Sequence, residues 1–116
     1  MKPELKKIWI EAMKSGEYKQ ASGGLCCVRP QGDVGFCCLG VAYDVLSDGD
    51  WSSRNVDGKA WGIQDESGYI SYGMPEAKVL NEWGLSITDA KTLAKLNDEG
   101  WTFEQIADEI ERDGRL

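Results

Sequence analysis

The sequence contains no histidine. Ser-His-Asp and Cys-His hydrolases in their usual forms are therefore excluded, because both need an imidazole to take the nucleophile's proton. A zinc site would have to rely on thiolates or carboxylates alone. Basic residues are scarce, with 13 Lys and Arg against 20 Asp and Glu, for a net charge of −7. Non-specific nucleic-acid binding replaces counterions with Lys and Arg, so this balance argues against it, and direct DNA binding is not expected. Long apolar runs are missing too, and no segment approaches the roughly 20 residues of a membrane span. Residues 1–7 lack the apolar core of a signal peptide. The expected location is the cytoplasm, where thiols stay reduced.

What is present fits one globular domain. The 116 residues suffice for one domain but not two, and 41% are hydrophobic. Five tryptophans are many for this length (Trp9, Trp51, Trp61, Trp83 and Trp101). They read chiefly as packing residues, with a stacking wall for a planar ligand as the functional alternative.

All four cysteines fall in one stretch. It runs Leu25-Cys26-Cys27-Val28, then Arg29-Pro30-Gln31-Gly32-Asp33-Val34-Gly35, then Phe36-Cys37-Cys38-Leu39-Gly40. A hairpin centred on Gly32 would set Cys27 against Cys37 and Cys26 against Cys38. Zinc ribbons separate paired cysteines by two residues so that both sulfurs reach one metal. Adjacent cysteines in a strand point to opposite faces instead. The four read as small buried hydrophobes. Disulfides across the turn would need an oxidising compartment. No metal or cofactor is expected. Asp48-Gly49-Asp50 resembles the start of a calcium loop, but the sixth and twelfth positions would be Ser53 and Lys59, where Gly and Glu are required.

Periodicity and caps divide the chain into elements. Pro3 suits a first helical turn, and Leu5, Ile8, Ala12 and Met13 recur at helical spacing, so residues 3–15 are expected to be helical, with Gly16 as the stop. Residues 25–28 form a β-prone run, and 37–47 keep a helical period. Residues 59–63 and 69–72 read as two strands around Asp65-Glu66-Ser67-Gly68. Pro75 opens a helix over 76–83, stopped by Gly84. Thr88 is placed to cap 89–97, and Thr102 to cap 103–111 in a capping box with Gln105. The sum is an α+β domain of about four helices, a small antiparallel sheet and a C-terminal helical hairpin. That hairpin looks like the start of a helix-turn-helix. Its last helix carries Glu104, Asp108, Glu109 and Glu111, which would repel phosphate.

Three blocks carry a resemblance. The first is Trp9 to Gln20, containing Ser15-Gly16-Glu17-Tyr18-Lys19-Gln20, with Gly24-Leu25 after it. The second is Phe36-Cys37-Cys38-Leu39-Gly40-Val41 with Asp44. The third is Leu93-Ala94-Lys95-Leu96-Asn97-Asp98-Glu99-Gly100 with Thr102-Phe103 and Ile106 to Glu111. Together they resemble a family of small, mostly uncharacterised proteins encoded by tailed phages and prophages. The pair Cys26-Cys27 lies outside that pattern. The resemblance implies an accessory protein that acts on the host, including by countering its defences, and that works by binding rather than catalysis.

The leading expectation is a binder of a small nucleotide-like ligand. Such a ligand wants a π-face for its base and donors for its phosphate. Aromatics, Gly-rich loops and the cations Lys19, Arg29, Arg54 and Lys59 supply these in kind. Tyr18, Lys19, Gln20, Arg29 and Trp61 are the candidate site residues. One alternative is an acidic inhibitor that occupies a basic surface of a host enzyme. Another is a small enzyme working through paired carboxylates such as Asp48 with Asp50, or Asp65 with Glu66. A homo-oligomer with a site between copies fits the sequence equally well.

Overall fold

Helix α1 (Pro3–Lys14) starts with Pro3 in its first turn and ends at Ser15, ahead of Gly16 at φ 79°. The computed structural model that shows this describes residues 1–47, 51, 59–114 and 116. Asp48, Asp50 and Arg54 therefore lie outside the described residues. Trp9 and Met13 form the buried face of α1. The Trp9 indole N–H donates to the Cys38 carbonyl at 2.9 Å, so the largest side chain of the helix enters the core with its polar atom paired.

Strands β1 (Cys26–Val28) and β2 (Val34–Phe36) form an antiparallel hairpin. Its centre is Gln31, not Gly32: Cys26 faces Phe36, Cys27 faces Gly35, and Val28 faces Val34. The loop sets this register. The Arg29 N–H donates to the Asp33 carbonyl at 2.7 Å, and the Gly32 N–H to the Arg29 carbonyl at 2.8 Å. The second cysteine pair consequently leaves the ladder. Cys37 is the N-cap of α2 (Cys38–Leu46), and Cys38 is the first residue of that helix.

The run 59–63 is not one strand. β3 (Ala60–Trp61) pairs with the free edge of β1, giving the order β2-β1-β3, while β4 (Ile63–Gln64) pairs with β5 (Ile70–Ser71) in a separate two-stranded sheet. Gly62 makes the switch possible, because a Cβ there would lie 2.3 Å from Ile70 Cγ2 and 2.8 Å from the Ser71 carbonyl.

Helix α3 (Ala77–Trp83) stops at Gly84, which adopts φ 78°. Helix α4 (Ile87–Asp98) begins two residues earlier than expected, since Ser86 rather than Thr88 caps it: Ser86 Oγ accepts from the Asp89 N–H at 3.1 Å. Helix α5 (Phe103–Arg112) carries the expected capping box of Thr102 and Gln105. The described residues thus hold five helices against the four or so expected, with the α4–α5 hairpin in place. None of these helices is long and apolar enough to cross a membrane.

α2 is the axis of the core. Cys38 to Tyr43 are all buried. α1 and α4 pack against α2, and α5 packs against both α1 and α4. The approach of α2 to the residue before β1 depends on Gly40, where a Cβ would sit 1.8 Å from the Leu25 carbonyl oxygen.

Candidate ligand groove

Residues 19–21 run alongside the outer edge of β2. The Phe36 N–H donates to the Lys19 carbonyl and the Ala21 N–H to the Phe36 carbonyl, both at 2.8 Å. Gly35 therefore lies between this segment and β1. Its missing side chain leaves room for the Arg29 stem and Ala21. A Cβ on Gly35 would meet Arg29 Cδ at 2.7 Å and the Ala21 methyl at 2.9 Å, so the Arg29 stem lies flat over the glycine. The resulting groove has a volume of about 440 Å³, with Gln20, Ala21 and Ser22 on one bank and Cys27 to Gln31 on the other. At its rim Arg29 Nε lies 3.4 Å from an Asp33 carboxylate oxygen. A second depression of about 200 Å³ shares the bank Gln20–Ser22 and extends to Asn97, Gly100 and Trp101. Trp101 is 37% exposed.

The five candidate residues separate. Gln20 and Arg29 line the same groove. The Gln20 amide, however, is committed to the fold: Nε2 donates to Asn97 Oδ1 at 2.9 Å and to the Trp101 carbonyl at 2.6 Å, while Oε1 accepts from the Phe103 N–H at 3.0 Å. It contributes its stem to the groove and pairs one of the first N–H groups of α5, which have no partner within the helix. Lys19 is exposed beside this segment and is anchored through its carbonyl. Tyr18 donates its hydroxyl to Asp44, and its ring meets Phe36 edge-on at 5.1 Å. Burial first, then the Asp44 carboxylate, pushes the Tyr18 phenol well above its ordinary value. Trp61 pairs with Cys26, which also faces Phe36, so register places these three on one face of the sheet and Cys27 with Gly35 on the other. The groove thus draws on Arg29 and Gln20, while Trp101, which sequence reasoning left among the packing residues, lines the adjoining depression. No local signal marked it, because an aromatic just before a helix cap can pack against that helix or stay exposed.

The thiols are not set up for chemistry. All four are free. Burial raises Cys26 to about 12 and Cys37 to about 11, places Cys38 well above the usual thiol value, and raises Cys27 as well. All four are protonated at neutral pH and behave as small apolar groups. Among the described residues, no group of three Cys, Asp or Glu side chains is placed to hold a metal ion.

The blocks that carry the resemblance turn out to bond to one another. Trp9 reaches the Cys38 carbonyl, Tyr18 reaches Asp44, and Gln20 reaches Asn97, whose Oδ1 also accepts from the Cys38 N–H at 3.2 Å. Residues 1–114 match the family described as Domain of unknown function (DUF8296). The chain belongs to that family. Searches of curated proteins and of solved structures bring no match. The family's extent agrees with the fold, since its match runs from α1 through α5 and includes both banks of the groove.

Proposed function

We propose that this DUF8296 protein is a non-enzymatic binder of a small nucleotide-like ligand. We further propose that it is an accessory protein of phage or prophage origin that acts on the host, in keeping with the resemblance of its three blocks. The observation that carries the ligand reading is the groove beside Gly35. It is lined by one arginine, whose stem lies over that glycine, and the adjoining depression is lined by a partly exposed tryptophan. An arginine fork suits phosphate oxygens, and an indole face suits a base. The ligand would be sequestered, since the thiols nearest the groove are protonated and no imidazole exists to activate a nucleophile.

The test is isothermal titration calorimetry of the full chain with adenosine and guanosine monophosphates and their cyclic forms, supported by native mass spectrometry. Saturable binding is expected, weakened at least tenfold by Arg29→Gln and by Trp101→Ala. Failure of every nucleotide to bind would overturn the ligand reading and move the weight to the acidic surface and a basic host protein. In that case affinity for the partner would fall as salt rises.

A further inference from the structure

The groove's one arginine arrives already paired. Arg29 lines the groove with Nε 3.4 Å from Asp33, four residues further along the same hairpin loop. The loop fixes both ends of this contact through the Arg29 N–H to Asp33 carbonyl bond at 2.7 Å. The arginine fork of the groove therefore has its charge offset by Asp33.

We propose that Asp33 is a charge filter that makes the groove favour monoanionic phosphodiesters over dianionic phosphomonoesters. This inference rests on the reading of the groove as a nucleotide site. A fork of N–H donors can still hold two phosphate oxygens of a phosphodiester while Asp33 stays in place. The second negative charge of a phosphomonoester gains nothing from a neutral ion pair. It is repelled by Asp33, and its stronger hydration must still be given up. The class of ligand selected is a cyclic or internally linked nucleotide, not a free mononucleotide.

Calorimetry on the full chain with cyclic AMP and AMP, at about pH 8 where the AMP phosphate is a dianion, tests this. The wild type binds cyclic AMP at least as tightly as AMP. Asp33→Asn keeps the backbone bond of the loop and removes the charge, and it lowers the ratio of the AMP to the cyclic AMP dissociation constant by ~2- to 5-fold, the worth of one exposed charge contact. Asp33→Glu restores the wild-type ratio. An unchanged ratio in Asp33→Asn, or a wild type that prefers AMP, overturns the filter while leaving the ligand groove standing. No binding of either nucleotide to either protein overturns the filter, and failure of the guanosine nucleotides as well overturns the ligand reading.

Discussion

Replacing Asn97 by alanine tests how the three motif blocks hold together. Asn97 is 3% exposed and is the one buried polar side chain among the described residues. Its Oδ1 accepts from the Cys38 N–H at 3.2 Å and from Gln20 Nε2 at 2.9 Å, and its Nδ2 donates to the Ala21 carbonyl at 2.8 Å. Alanine would strand these partners unequally. The Cys38 N–H sits at the buried start of α2, so it loses its side-chain partner where water has little access. Gln20 keeps its bond to the Trp101 carbonyl, and Ala21 is only partly buried, so both can recover. One stranded buried donor costs about 1–3 kcal/mol, and the two weaker losses bring the total to about 2–4 kcal/mol. At roughly 2 cal/mol/K of unfolding entropy per residue, that lowers the melting temperature by about 8–16 °C in this chain. Thermal and urea unfolding followed by tryptophan fluorescence measures it. A loss below about 0.5 kcal/mol would refute the reasoning, because the network would then be decorative. Asn97→Asp sharpens the test. It keeps the acceptor but buries a charge against the Ala21 carbonyl, which raises the folded-state pKa of the new carboxyl. Its stability should therefore match the wild type better at acid pH and fall as pH rises through that pKa.

Three further outcomes follow from packing and burial. Gly40→Ala places a methyl 1.8 Å from the Leu25 carbonyl and should destabilise the fold by about 3 kcal/mol or more, read as loss of soluble yield or of the cooperative unfolding transition. Native-state titration with an aromatic disulfide reagent near neutral pH should label Cys27 first, since it is the only cysteine of the four that is not buried, and the rest only as the protein unfolds; four equally fast thiols would contradict the core assignment. Cys26, Cys37 and Tyr18 have folded-state pKa values raised by burial, Cys26 to about 12 and Cys37 to about 11, so their contribution is intact below pH 9 and lost as pH climbs. In that range the unfolded chain has released protons that the native chain retains, so unfolding free energy falls with pH, and an urea midpoint that stays constant between about pH 8 and pH 11 would contradict the assignment.

Much of the secondary structure was legible because its causes are local. Pro3, Gly84, Thr102 and Gln105 act within a turn of their own positions, and the helices they bound appear where the pattern put them. Ser86 displaced Thr88 as the cap because two hydroxyl residues compete within one turn, and only the packing of Ala90 and Leu93 decides which turn is first. The groove was half legible. Arg29 and Gln20 were found from residue type. Trp101 was missed because an aromatic beside a helix start is packed or exposed according to the neighbouring hairpin, not its own sequence.

The sequence by itself determined an acidic, histidine-free α+β domain, the ends of most helices and the protonated, apolar character expected of its cysteines, because composition and capping act over a few residues. The remainder came from contacts between distant segments. The hairpin register depends on which loop hydrogen bonds close, and a shift of that register moves cysteines out of facing pairs. The division of residues 59–64 between two sheets depends on the space around Gly62, and the groove depends on a side chain that is missing at Gly35 beneath a side chain supplied by Arg29. Each of these is a contact between residues on different strands or segments, where long-range packing outweighs local preference.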